Sequence, residues 1–380
     1  MSDAYVVGAG MIPFGRYPDR TYFQLAAEAT LMALDDCGLS IKDVGVVYAS
    51  STFNAASMLG QKMLQQIGQT GVPVINVSNA CASGATAVRE AFVAIKSGLY
   101  DVVLAVGAEK NPRGMLAGSP VDGPPPEGLF GSVSMPALFA EAGMVHANAY
   151  GTTLEQFAQV AVKNHHHATM NPKAAYRRET PLDEVLASEM IAYPLTKLMC
   201  SANVDGAAAL ILVSEKKARA LGLGRAVRLR GSALTSDPFE PRNPDMLDPN
   251  SVTRLAVAQA YEMAGMGPED LDLVELHDCF ATAEILHYEN LGLCGEGEAG
   301  RFIDSGATAL GGRIPVNVSG GLLSKGHPIG ATGVANMVEI IDQLRGEAGA
   351  RQVEGAKIGL THVLGFGTGS AAGVHIFEKA

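Results

Sequence analysis

The chain has 380 residues, 44 glycines, five cysteines and a formal net charge of −11; at roughly 150 residues per domain that suits about two domains, able to bury a core without disulfide staples. The acidic balance excludes nucleic acid as the main partner, and an anionic ligand would need a local basic pocket. The cysteines, at 37, 81, 200, 279 and 294, form no CxxC pair and suit a reducing compartment.

The N-terminal "MSDAYVVGAGM" lacks the basic region and long apolar run of a signal peptide. No uncharged apolar run reaches the ~18 residues of a membrane span. The expectation is a soluble, cytoplasmic protein with no membrane partner. "YVVGAG" reads as a strand and "TYFQLAAEATLMALDDCG" as a helix, with Thr21 at its N-cap and Gly38 past its end. "GAGMIP" does not open a dinucleotide loop, because Pro13 stands where the third glycine belongs and no helix begins there. "VGVVYAS" and "VPVINVS" are strands, "ASGATAVREAFVAIKSG" is a helix, and "DVVLAVGAE" is a buried strand. The alternation is that of an α/β fold.

The chain then repeats itself. "GLSIKDVGVVYAS" (38–50) matches "GMGPEDLDLVELH" (265–277) without a gap, "INVS" (75–78) matches "VNVS" (316–319), and "GATAV" (84–88) matches "GATGV" (330–334). The strand "AKIGLTHVLGFG" echoes "DVVLAVGAE". We therefore expect two similar halves, 1–235 and 236–380, the first carrying an inserted loop region at about 115–190 that includes "GSPVDGPPPEG" (118–128). Loops on a rigid scaffold are where substrates are usually held.

Cys81, in "NVSNACASGATAV", stands between a strand and a helix, where backbone N–H groups and the helix dipole would lower a thiol pKa. That position fits a nucleophile; a buried apolar cysteine fits as well. His327, in "SGGLLSKGHPIGATG", occupies the corresponding connection of the second half. Alone it reads as a loop histidine held by backbone hydrogen bonds, but two similar halves would bring Cys81 and His327 into one pocket as nucleophile and base. "LHDCFATAE" (276–284) ends a strand in three ionisable groups. Strand alternation sends His277 and Cys279 to one face and leaves Asp278 for structure. A zinc site of Cys81, His277, Cys279 and His327 is set aside, since none of the close ligand spacings is present. The run "HHH" (165–167) follows a helical pattern whose successive residues diverge by about 100°, so the three cannot chelate one ion and read as packing and polar-surface residues.

Taken together, "VSNACASGATA", "KNHHHATMNP", "SANVDGAAAL", "VELHDCFATAEI" and "SGGLLSKGHPIGATG" resemble the thiolase family, specifically its sterol-carrier-protein-type branch, over essentially the whole chain. The resemblance implies a thiolase fold: two repeated βα halves in a five-layered αβαβα core with a loop domain, forming a homodimer or dimer of dimers. It implies an acyltransferase acting on acyl-CoA substrates with CoA as co-substrate and no tightly bound cofactor or metal, in fatty-acid or sterol side-chain breakdown. Cys81 matches the family nucleophile and His327 its activating histidine. Val363 stands where most thiolases carry a second catalytic cysteine. In the sterol-carrier-type branch the "HDCF" cysteine takes that acid/base duty, which falls here to Cys279. His277 and His327 would line the hole for the enolate oxygen, and the N–H groups of Cys81 and Gly365 would hold the thioester oxygen. The chain stops at residue 380, so no lipid-transfer domain is expected to follow. A ketosynthase would use Cys81, His277 and His327 without needing Cys279. An aldolase-like relative would not need Cys81, and a non-catalytic acyl-binding subunit would not keep the whole set.

Overall fold

A computed structural model of the chain describes residues 3–114, 134–239, 249–366 and 369–380. The Gly/Pro-rich stretch 118–128 lies outside the described residues. The strands are β1 (Ala4–Met11), β2 (Val46–Ser50), β3 (Val74–Val77), β4 (Val102–Glu109), β5 (Met190–Ala192), β6 (Leu195–Thr196), β7 (Gly206–Ser214), β8 (Val227–Ser236), β9 (Leu273–Glu275), β10 (Ile358–Gly365) and β11 (Ala371–Lys379). Apart from the small β5–β6 pair they join in one sheet, ordered β3-β2-β4-β7-β1-β8-β11-β10-β9.

The order shows the internal repeat. From one edge inward run β3, β2, β4, β7 and β1. From the other edge a bridge at Val316 precedes β9, β10, β11 and β8. Each half pairs its central strands in parallel and closes with antiparallel ones. By this topology the second half starts at β8, and three antiparallel residue pairs between β1 and β8 join the halves.

The helices Ser83–Lys96 and Ile329–Arg345 pack against each other and against strands of both halves, forming the central layer. Tyr22–Cys37 and Leu59–Ile67 cover the outside of the first half, Pro249–Ala264 that of the second, with Ala281–Asn290 beside it. The result is the expected αβαβα stack. Strand β7 shows why its sequence has no polar face: Ala208, Leu210 and Leu212 feed the central core, while Ala207, Ala209, Ile211 and Val213 feed the outer one. The central helices touch backbone to backbone at Gly84 and Gly333; a Cβ on Gly333 would sit 2.5 Å from the Ala85 nitrogen. The described part of the insertion is mostly helical, with Met135–Tyr150, Leu154–Thr169 and Leu182–Ala187. No described helix is long and apolar enough to cross a membrane.

Candidate active site

The site forms where the two central helices begin. Cys81 lies in the 78–82 connection from β3, immediately after Ala80, whose φ of 46° is unusual for a residue with a side chain. This elbow is fixed locally. The Ser83 hydroxyl donates to the Ala80 carbonyl at 2.5 Å and accepts from the Asn79 N–H at 2.9 Å, and Thr52 donates to the same carbonyl at 3.0 Å.

The Cys81 sulfur lies 3.4 Å from Nε2 of His327. The Thr332 hydroxyl donates to the Pro328 carbonyl at 3.1 Å, so its oxygen accepts from His327 Nδ1–H at 2.7 Å. That bond fixes the tautomer and turns the bare Nε2 toward the thiol. Asn111 holds the His327 carbonyl at 2.7 Å. The His277 ring meets the His327 ring edge-on at 5.3 Å. Ligating atoms of Cys81, His277 and His327 all lie within 4.8 Å of one another; Cys279, the fourth member of the zinc alternative, is outside that set. The structure thus brings together the thiol and both imidazoles named from the sequence.

Cys279 is buried, and Cys81 is among the groups that raise its thiol. The reason for its placement differs from the expectation. Strand β9 ends at Glu275, and the chain then turns, with Asp278 N–H donating to the Leu276 carbonyl at 3.2 Å. Asp278 nevertheless points away into structure. It accepts from the N–H groups of Leu322 at 2.7 Å and Leu323 at 3.3 Å. Gly365 lies against the nucleophile elbow, where an added Cβ would fall 2.2 Å from the Asn79 carbonyl oxygen. Val363 is buried in the central core.

The electrostatics correct one expectation. Burial pushes the Cys81 thiol up to about 12; its own backbone N–H pulls it down and Glu109 adds to the rise. Desolvation outweighs the helix dipole that was expected to lower it. Burial also carries His327 down to about 3. His277 falls well below the usual range, first through burial and then through His327. Both shifts favour a neutral thiol beside a neutral imidazole. Cys279 is held well above the usual thiol range by burial, with Cys81 and Asp278 adding to it, and so stays protonated.

Sequence reasoning missed Glu109. Buried at the end of β4, it accepts from Ser51, Thr52 and Asn54 at 2.6–2.9 Å and from the Gly330 N–H at 3.2 Å, tying the first half to the start of the second central helix. An acid closing an otherwise apolar strand was the signal, the same one that drew attention to "HDC". Thr332 was missed too, although the repeat places it opposite Thr86. The three consecutive histidines diverge as expected. His165 pairs with Ser324, His166 is exposed beside Glu179, and His167 bonds to the Asn317 carbonyl.

Known proteins agree with this architecture. Residues 4–115 match the family model "Thiolase, N-terminal domain" and 240–379 match "Thiolase C-terminal domain-like". The chain is 41% identical to sterol carrier protein 2 of Bos taurus, covering 96% of this chain and 70% of that protein. It is 39% identical to an acetyl-CoA acetyltransferase of Methanothermobacter thermautotrophicus over the full length of both. Among solved structures it is similar to an Ltp2-ChsH2(DUF35) aldolase, with a TM-score of 0.82, 27% identity, and coverage of 99% of this chain and 98% of that one. With both halves matched and relatives near 40% identity along nearly all of its length, the chain belongs to the thiolase family.

Proposed function

We propose that the protein is a 3-ketoacyl-CoA thiolase, cleaving its substrate with CoA to acyl-CoA and acetyl-CoA or running the reverse Claisen condensation. The observation that supports this most is the 3.4 Å approach of Cys81 Sγ to a His327 Nε2 whose tautomer Thr332 fixes. Cys81 passes its proton to Nε2 and its sulfur bonds to the keto carbon. The bond between that carbon and the α-carbon breaks, its electron pair leaving as the acetyl-CoA enolate. His277 and His327 donate to the enolate oxygen, while the Cys81 and Gly365 N–H groups receive the thioester oxygen. Cys279 gives its proton to the enolate carbon. The CoA thiol then reprotonates Cys279 and attacks the acyl-Cys81 thioester, and Cys81 leaves with the proton from His327. The acetyl-CoA acetyltransferase relative supports CoA thioesters as substrates, and the name of the sterol carrier protein 2 relative is in keeping with a sterol-derived acyl group, within the broader reading of fatty-acid or sterol side-chain breakdown.

Acetoacetyl-CoA with CoA tests the reading through loss of the enolate absorbance, followed by intact mass for an acetyl group on Cys81. The aldolase likeness favours a second reading, side-chain cleavage of a hydroxyacyl-CoA. That chemistry needs no acyl-enzyme, so turnover of a hydroxyacyl-CoA with acetoacetyl-CoA left intact would replace the first reading with the second. We also propose a homodimer. Strand β3 is an edge strand paired only with β2 among the described residues, and Ile75 on it is exposed. A stable, active monomer in sedimentation would overturn that assignment.

A further inference from the structure

The run "KNHHH" (163–167) takes no part in the steps above, yet Lys163, Asn164, His165 and His167 are buried and only His166 is exposed. They lie on the inserted helix Leu154–Thr169, and they touch both the chain leading to His327 and the 278–284 stretch, where Lys163 pairs with Glu284 at 2.6 Å. Lys163 Nζ donates to the Val316 carbonyl at 2.8 Å. His167 accepts the Leu310 N–H on Nε2 at 3.0 Å, so its Nδ1 carries the proton given to the Asn317 carbonyl at 3.0 Å. His165 Nδ1 bonds the Ser324 hydroxyl at 2.7 Å, and Asn171 donates to the Ser319 carbonyl at 2.8 Å. Asn164 donates to Asp278 at 2.8 Å and to Glu284 at 2.7 Å, and Asp278 receives Leu322 and Leu323 N–H of the same segment.

Beyond the bridge at Val316 the segment 316–325 joins no sheet. Its buried carbonyls need donors, and the insertion supplies three: Lys163 to Val316, His167 to Asn317 and Asn171 to Ser319. We propose that Lys163, Asn164, His165, His167 and Asn171 are positioning residues: they clamp segment 316–325 and thereby set the reach of His327 Nε2 to Cys81. The proposal rests on reading His327 as the base of Cys81. It gives the two buried histidines of the run a role.

His165→Phe removes the Ser324 bond, whereas His165→Asn keeps a polar atom where Nδ1 stands and serves as the conservative rescue. His166→Ala is the surface control from the same run. Displacing a catalytic group by about 1 Å costs up to ~10²-fold, so His165→Phe should lower kcat by roughly 10- to 100-fold. Its KM for the acyl-CoA should stay near wild type, and iodoacetamide should alkylate Cys81 correspondingly more slowly at neutral pH. His165→Asn should recover most of both rates, and His166→Ala should match wild type. His327→Ala is the reference. If it slows alkylation while His165→Phe changes only the melting temperature, the clamp is purely structural and the proposal fails. If His327→Ala itself leaves alkylation unchanged, the reading of His327 as base falls, and the proposal falls with it.

Discussion

The two halves use one connection for different ends. In the first, residues 78–82 lead from β3 to a central helix, and the turn at Ala80 that precedes Cys81 is held by neighbours in its own half: Thr52, Asn79 and Ser83. In the second, the equivalent connection runs from the Val316 bridge to Ile329, including a short helix Gly321–Ser324, before it delivers His327. That longer path is held by Asp278, by the buried Lys325–Glu275 pair at 3.4 Å and by the insertion. Cys81 and His327 each stand two residues before a central helix, at Ser83 and Ile329, but the connection to His327 is longer and must find partners for its backbone.

The sharpest test of the division of labour removes the thiol of the short connection. Cys81→Ala should abolish the acetyl adduct seen by intact mass and reduce cleavage to background; an undiminished adduct would place the nucleophile elsewhere. The next largest effect belongs to Cys279. A positioned acid/base contributes ~10²–10⁴-fold, so Cys279→Ala should lose about that much in cleavage. Exchange of acetyl-CoA methyl protons with deuterated solvent should collapse with it, while the acyl-enzyme at Cys81 still forms. Normal exchange in that variant would make the thiol structural and restore the ketosynthase and aldolase-like alternatives. Thr332→Val removes the bond that fixes the His327 tautomer. A neutral hydrogen bond is worth about 0.5–1.5 kcal/mol, which corresponds to a two- to tenfold drop in kcat with KM unchanged; no change would mean that Asn111 and the loop orient the ring without it.

The halves should also part company in acid. All nine histidines fall after residue 145, five of them at 277, 287, 327, 362 and 375. Burial holds His287, His327 and His375 down to about 3 in the fold. Their unfolded counterparts titrate near 6.5, so the unfolded chain binds more protons between those values. Stability from these groups is complete above about pH 6.5 and drains away as pH falls toward 3. Carboxyls raised mainly by burial do not add to that loss in either half, Glu109 in the first and Glu275, Asp278 and Asp342 in the second. His165 and His167 on the insertion are held down as well, His167 to about 3, but strands β1–β4 carry no histidine. Hydrogen exchange between pH 7 and pH 5 should therefore show protection of β9–β11 weakening before that of β1–β4. Equal loss in both halves would show that the buried imidazoles do not control acid stability.

Much of this was legible in the chain. The gapless match of 38–50 to 265–277, and of "INVS" to "VNVS", marked the two halves because equivalent strands bury equivalent faces and so keep equivalent patterns. Cys81 and His327 stood out for the same reason, each placed before a central helix start. The His277–Asp278–Cys279 division was anticipated through strand alternation and is instead made by a turn after Glu275, with Asp278 drawn off by the N–H groups of Leu322 and Leu323. The direction of the Cys81 shift was misjudged, because a helix terminus is local and visible in sequence whereas desolvation depends on everything packed around the sulfur.

By itself, then, the sequence determined the repeat and the α/β layering and singled out candidate reactive side chains, all of which follow from local periodicity and from residues adjacent to element ends. Only the tertiary structure decided which groups meet and in what protonation state. The 3.4 Å contact between Cys81 and His327 joins residues 246 positions apart. The tautomer of His327 depends on Thr332, and the clamp on its loop comes from a helix more than 150 positions earlier. Hydrogen-bond satisfaction and desolvation are properties of a packed neighbourhood, and such neighbourhoods are assembled from distant stretches of chain.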